Sequence, residues 1–384
     1  MKVCDVVKTS VWCDPRVKKQ IESYISADGV EVEAVGIEDS RYNADEVAKV
    51  PCKVHIVPVD QKYFGKKRTF LMKVKRELFV NREMTRMIID TKPDVIHAND
   101  LNALVPAYKA AKKLKCKLIY DSHEIFVENL GIVDHKLVKA VWAFLEKKIV
   151  KKVDAMVSVS NAAAEYFDEK YKVKKLMVVT NCVSSNRIIK EKPEMRMPRQ
   201  ILNHGQFYEG RGYDIMIEAS PVFKDREDIE FVLRGYGSME PQLRKRAEEL
   251  NAKNVTFAPP VKIDELIPEA SYAWVALAIT EAISVNFRLS VSNKIFEYAA
   301  AGLPVIMSDI PEHRYLNGKY DFGIILEDNS VESLSAAIEK LYGDDELYKR
   351  LSENAIKMSL EVNWDEQFSE LVDFERRVVT GEAK

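Results

Sequence analysis

Short runs rich in β-branched residues alternate with longer amphipathic stretches along almost all of this chain, in two separate series. The first series holds "KVCDVV", "VEVEAVGI", "KVHIVPV", "DVIHA", "KLIYDS", "AMVSVS" and "LMVVTN". Apolar strands of this kind must be covered on both faces, which a parallel sheet between two helix layers provides. "DPRVKKQIESYISADG" shows how the helices are punctuated. Asp14 stands at the N-cap, Pro15 at the first helical position and Gly29 at the stop, with Val17, Ile21, Tyr24 and Ile25 on one face. A polar, proline-bearing stretch at 186–200, "NRIIKEKPEMRMPRQ", breaks the rhythm and reads as a linker. The alternation restarts with "ILNHGQ", "IEFVLRGYG", a helix over 239–251, "VTFAPP", "YAWVALAI" and "LPVIMSD". The expected fold is α/β, two Rossmann-like domains facing each other across a cleft, the first over 1–185 and the second from 201. Ligands of such sheets sit outside the carboxyl ends of the strands, so a ligand is expected at those loops.

Composition narrows the class. With 47% hydrophobic and 31% charged residues the chain is globular, and at 384 residues it is long enough for two domains. Uncharged stretches such as "ASYAWVALAIT" stop near 11 residues, short of the roughly 18–20 that a membrane span needs. The five cysteines form no C-x-x-C pair, which suits a reducing compartment. The N-terminus lacks a signal peptide's apolar core, so a cytoplasmic location is expected. The net charge of −2 conceals an asymmetry: 35 Lys and Arg against 25 Asp and Glu in residues 1–190, and 23 against 35 in the remainder. A basic half is suited to an anionic partner, and is equally a set of solvated faces.

Three segments carry candidate chemistry. "NHGQFYEGRGYDIMIEA" places Gly205, Gly210 and Arg211 between a strand and a helix. There, helix N–H groups and a guanidinium fork suit a phosphate. It is neither a P-loop nor a G-x-G-x-x-G fingerprint, and on residues alone it is also a plain turn. In "RGYGSMEPQLRKRAEEL", Gly235 and Gly237 allow close approach of backbone to ligand, or simply a tight turn. In "SVNFRLSVSNKIFEYAAAGLPVIMSD", Ser290, Val291, Ser292 and Asn293 stand at a helix start with Lys294 beside them, a second anion cradle. Glu297 follows one turn on, where a carboxylate can accept hydrogen bonds from vicinal ribose hydroxyls.

This last segment resembles the donor-binding segment of glycosyltransferase family 4, in particular a subgroup with an S-x-N-K-x-F-E-Y pattern, and the resemblance spans nearly the whole chain. "DVIHANDLNALVPAYKAAKKLKCKLIYDSHEIF" is similar to the family's acceptor-side region, and "NHGQFYEGRGYDIMIEAS" to the start of its donor domain. "VNWDEQFSELVDFERRV" is similar to its tail helix. The resemblance implies the GT-B fold, with a nucleotide-sugar domain over 201–362 and a tail helix over 363–384 crossing back to the first domain. It implies a retaining, metal-independent enzyme that moves a sugar from a nucleotide diphosphate sugar to an acceptor hydroxyl and has no cofactor. By matching positions, Glu297 would bind the ribose, Ser290–Lys294 with Arg211 the diphosphate, and Gly235 and Gly237 the nucleotide cleft. Val261 would meet the base, and His123 would face the donor sugar. Asp14, Arg16, His97 and Asp100 are implied on the acceptor side, the last two on one loop. Three positions depart from the pattern. Leu289 stands where many members have a further glutamate, Gln206 and Arg211 replace an arginine–lysine pair, and Ser292 replaces a proline.

No Asp-x-Asp pair and no His/Cys cluster at ligand spacing is present, in keeping with the metal-independent expectation. The acceptor is open: a carbohydrate or a lipid-linked molecule, with a place in polysaccharide or glycolipid assembly. Nucleic acid is not expected among the partners. Two basic amphipathic segments, 65–80 and 136–152, could rest on an anionic membrane surface, or cover the sheet with their apolar faces inward. A sugar-nucleotide epimerase or hydrolase on the same fold, and a sugar-binding protein without activity, are the competing readings.

Overall fold

The structure, a computed structural model, describes residues 1–11, 14–38, 51–59 and 69–382. The first residues of the basic segment 65–80 and Cys13 therefore lie outside the described residues. The chain divides into two compact units, one of Met1–Thr180 with Glu366–Lys384 and one of Asn181–Asp365. The stretch 186–200, read above as a linker, packs within the second unit. Ile189 N–H donates to Ala300 O (2.9 Å) and Arg196 N–H to Tyr272 O (2.9 Å).

Unit 1 is built on β1 (Lys2–Val7), β2 (Glu31–Ile37), β3 (Lys53–Val57), β4 (Val95–Asn99), β5 (Lys117–Ser122), β6 (Ala155–Ser158) and β7 (Leu176–Val178). All pairings are parallel in the order β3-β2-β1-β4-β5-β6-β7. Val3, Val6, Ile96, Ala98, Ile119 and Tyr120 are fully buried, as strands covered on both faces must be. The helix Pro15–Ser26 forms where the capping pattern puts it, with Asp14 accepting from the Arg16 and Val17 amides.

Unit 2 carries β8 (Arg199–Gln206), β9 (Ile229–Tyr236), β10 (Val255–Ala258), β11 (Val275–Ala278), β12 (Val305–Met307) and β13 (Gly323–Ile325), again all parallel, in the order β10-β9-β8-β11-β12-β13. Trp274, Phe231, Ile306, Leu334 and Leu351 belong to its core. The strand order turns back on itself between β8 and β11. Chain connections diverge there, to opposite faces of the sheet, and open a crevice at the carboxyl ends. The loops leaving β8 and β11 are two of the three segments singled out from the sequence.

Candidate functional site

The loop after β8 reaches the helix Tyr213–Ala219, and the loop after β11 passes through the short helix Val285–Leu289 into the helix Asn293–Ala300. Between them lies a cavity of about 250 Å³ lined by Gln206, Tyr208, Arg211 and the run Ser290–Lys294. Five of the residues the resemblance implies for the diphosphate, and Arg211 with them, thus meet at one place. Ser292 is the N-cap of the Asn293–Ala300 helix but its side chain makes no capping bond. The first-turn amides and the positive end of the helix dipole are therefore open to an anion.

Two cations face this cavity. The Arg211 guanidinium lies over the Phe287 ring, 4.7 Å from its centroid, and burial lowers its pKa. Among the described residues no carboxylate comes within ion-pair reach of it. Lys294 Nζ donates to Asn203 Oδ1 (2.7 Å) and Tyr213 OH (3.0 Å), and lies over the Tyr213 ring. Burial, reinforced by Arg211 and opposed by Glu297, brings the Lys294 pKa down to about 7. Asn203 ties the two together, since its Nδ2 donates to Arg211 O (3.2 Å). Gly205 makes room for this arrangement: at φ +120° its missing Cβ would stand 3.2 Å from Lys294 Cε.

Glu297 sits one turn beyond the cavity lining, with its side chain 26% exposed. Its Oε2 accepts from Nε2 of the buried His204 at 2.8 Å, and His204 is held in turn by its own amide donating to Tyr298 OH (2.9 Å). Burial acts to raise the Glu297 pKa. The His204 hydrogen bond and charge, with Lys294 and Arg187, outweigh it and hold the carboxyl below its ordinary value. The acid is therefore ionised and fixed in direction, with one edge still reachable. Sequence reasoning missed His204, Asn203 and Tyr213, whose partners lie some 80 to 90 positions away.

The other donor-side positions are placed differently. Gly210 lies in the loop, its carbonyl accepting from Glu281 N–H (3.1 Å). Gly235 faces Gly205 across β8 and β9, where an added Cβ would stand 1.8 Å from Gly205 O. The neighbouring strand by itself requires a glycine there. Gly237 closes the turn that follows, its carbonyl accepting from Glu240 N–H, and Val261 is half-buried beyond β10. Neither lines the cavity.

In unit 1 the implied acceptor-side residues need correction. His97 is not on a loop but the third residue of β4, fully buried, with its ring nitrogens against Glu375 Oε1 (2.7 Å) and Asp121 Oδ2 (3.3 Å). Arg16 is also buried. It grips both Asp121 oxygens through Nε and NH2 and donates through NH1 to Val179 O (2.9 Å). Both are scaffold, because their polar atoms are engaged by buried partners. Asp14, Asp100 and His123 come together at the carboxyl ends of the strands. His123 N–H donates to Asp100 Oδ1 (3.0 Å), and its ring lies 3.5 Å from Asp14 Oδ2 and 3.6 Å from Asp100 Oδ2. The ring is 13% exposed. Burial disfavours its charge, but Asp100 and Asp121 outweigh that and push its pKa up to about 10. At neutral pH it is an imidazolium, suited to holding negative charge and not to accepting a proton. Burial raises Asp100 to about 7.

Comparison with known proteins bears on the family and the fold. A family model described as Glycosyltransferase Family 4 matches residues 19–187, and one described as Glycosyl transferases group 1 matches residues 184–358. The chain is a GT4-like glycosyltransferase. An uncharacterised glycosyltransferase of Methanocaldococcus jannaschii is 25% identical over 285 residues, 69% of each chain. An uncharacterised protein from the cps region of Klebsiella pneumoniae is 27% identical over 158 residues, 36% of this chain. This match spans only 42% of the Klebsiella protein's length. Sucrose-phosphate synthase from Thermosynechococcus elongatus superimposes with a TM-score of 0.76 at 13% identity, covering all of both chains. Anabaena HepE, solved with UDP and glucose, does so with a TM-score of 0.73 at 14% identity over 98% of this chain and 99% of its own. At such identities the structures speak for the fold, two Rossmann-like parallel-sheet domains of the GT-B kind.

Proposed function

We propose that this glycosyltransferase takes its sugar from a nucleoside diphosphate donor bound in unit 2 and passes it to an acceptor hydroxyl. The observation that carries this reading is the cavity at the tip of the Asn293–Ala300 helix, with Arg211 and Lys294 facing it and the anchored Glu297 one turn away. The tip and the two cations fit a diphosphate, and the carboxylate fits the ribose diol next to it. Anabaena HepE, solved with UDP and glucose, supports a uridine donor as the first to try. As the glycosidic bond to the leaving diphosphate breaks, negative charge grows on the phosphate oxygens. Preorganised donors of this kind typically lower the barrier by about 2.7–4 kcal/mol each. Retention of configuration, independence of metal and a role in polysaccharide or glycolipid assembly belong to the same proposal. Unit 1 supplies the acceptor side, where Asp14, Asp100 and the His123 imidazolium lie at the strand ends. The acceptor is a carbohydrate or a lipid-linked molecule.

A thermal-shift panel of nucleoside diphosphates and their sugars tests the assignment, because a ligand at 100 times its Kd adds about 2.7 kcal/mol to the stability of the folded state. One nucleotide should raise the melting temperature, and Glu297→Ala should abolish that rise while the unliganded protein still melts cooperatively. An unaltered nucleotide shift in the variant would remove Glu297 from the site. Loss of donor with no glycosylated acceptor formed would point instead to hydrolysis or epimerisation.

A further inference from the structure

Unit 1 exposes apolar side chains along two helices that would be expected to hide them. In the helix Lys136–Val150, Leu137 is 86% exposed and Phe144 64%, with Val141 between them. Positions 137, 141 and 144 fall on one face, and only Glu146, Ile149 and Val150 are buried. In the helix Phe70–Thr91, Leu71, Val74 and Leu78 make a similar outward stripe, Leu78 being 63% exposed. Burial in that helix begins further along, at Val80, Met84 and Ile88. The reading in which both helices turn their apolar faces inward therefore fails for their N-terminal halves.

Topology puts the two stripes at one edge. Both helices pack on the helix Asp100–Leu114 and so lie on the same face of the sheet. Each returns the chain from one parallel strand to the start of the next, which sets its N-terminal half near the carboxyl ends of the strands. Asp100 and His123 stand at those same ends. Around the stripes the exposed charges are mainly basic: Lys73, Lys75 and Arg82 on the first helix, Lys136, Lys147, Lys148, Lys151 and Lys152 on or beside the second. The one acid inside Lys136–Val150, Glu146, is buried, and Asp134 stands exposed just before it.

The geometry points to unit 1 as a membrane-docking domain. Leu137, Val141 and Phe144, seconded by Leu71, Val74 and Leu78, enter the interfacial layer of an anionic bilayer while the lysines pair with its headgroups. A wide apolar stripe flanked by lysines matches such a surface. A protein partner would require a shaped counterpart, which nothing about this lysine-rimmed stripe specifies. This deepens the functional proposal and rests on its placing of the acceptor at unit 1. It sets the strand ends bearing Asp100 and His123 at the surface where a lipid-linked acceptor is found.

Co-sedimentation of the full chain with vesicles tests the inference. Vesicles with one part phosphatidylglycerol to two parts phosphatidylcholine should carry the protein down, and phosphatidylcholine alone should not. On the anionic vesicles Leu137→Glu with Phe144→Glu should weaken partitioning roughly tenfold or more, and Lys147→Ala with Lys148→Ala should weaken it by a smaller factor that shrinks as salt is added. Melting temperature and the nucleotide shift should stay unchanged in both variants, since these side chains are exposed and belong to unit 1. No binding of the wild type to anionic vesicles overturns the inference, as does undiminished binding of Leu137→Glu with Phe144→Glu. A solution dimer that those substitutions dissolve, without vesicle binding, assigns the stripe to a second copy and also overturns it. Vesicle binding without any nucleotide shift would leave the inference standing and sink the donor assignment.

Discussion

Lys294 shows how the site prepares for an anion. Burial, with Arg211 beside it, favours the neutral amine and sets the pKa at about 7, against an ordinary 10.5. Between those values the unfolded chain holds a proton that the folded one sheds. This residue therefore costs stability below about pH 7, and the cost disappears as pH rises toward 10.5. A diphosphate in the cavity reverses the balance, because an opposite charge restores the ammonium. Nucleoside diphosphate binding at pH 8 should then take up close to one proton, and affinity should fall as pH rises above 7. Calorimetry in buffers of different ionisation enthalpy measures the uptake directly, and zero uptake would place the phosphate away from Lys294. Glu297 titrates in the other direction. Its depressed pKa adds stability that is complete above its ordinary value of 4.5 and lost as pH falls through the lower folded value. Both residues were legible in the sequence because one short segment holds the helix start, the cation and the acid in fixed spacing. His204 was not, because its meaning is the contact with Glu297, and nothing local to β8 announces it.

The helix Trp364–Thr380 is expected from the resemblance to the family's tail helix, yet its most telling residue is a glutamate. Glu375 is buried, and its Oε1 accepts from Tyr24 OH (2.7 Å) and faces His97 Nδ1 (2.7 Å). Burial works against a charged His97, but Asp121 and Glu375 more than compensate and raise its pKa to about 10. Glu375→Ala would leave a buried imidazolium with one carboxylate fewer. Removing one partner from a buried ion pair costs about 3–5 kcal/mol. On the same helix Asp373 pairs with Arg376 at the exposed surface, and Asp373→Ala should change stability by no more than about 0.5 kcal/mol. Thermal melts of the two variants should therefore differ by many degrees, and equal melts would show that the His97 cluster does not hold the helix. The element-level errors share a cause. Strand and helix were read from periodicity, which reports that a face is buried but not what polar partner it meets. The resemblance accordingly puts His97 and Arg16 on the acceptor side without showing their buried partners, and the segment 136–152 reads as either a membrane face or a cover for the sheet.

At the scale of the whole chain, the two units differ in how they close. Unit 2 begins and ends at one place: Trp364 N–H donates to Val183 O (2.9 Å) and Ser185 N–H to Asp365 Oδ2 (2.7 Å). Its sheet and core are drawn from residues contiguous in sequence. Unit 1 is interrupted, and its buried cluster draws Glu375 from the far end of the chain. Residues 181–365 expressed alone should thus fold, melt cooperatively and keep the nucleotide shift of the full chain, since Arg211, Lys294, His204 and Glu297 all lie inside them. Residues 1–180 alone should be unstable, because Tyr24 OH and the His97 ring lose an acceptor in a place water does not reach, a defect worth about 1–3 kcal/mol or more for a charged group. Adding a peptide of residues 364–382 should recover part of that stability, and the same peptide carrying Glu375→Ala should recover less. Circular dichroism melts measure all three. A fragment 181–365 that folds but ignores nucleotide would mean that unit 2 does not hold the donor site by itself. A fragment 1–180 as stable as the intact chain would mean that the buried Glu375 contacts contribute nothing to holding unit 1 together.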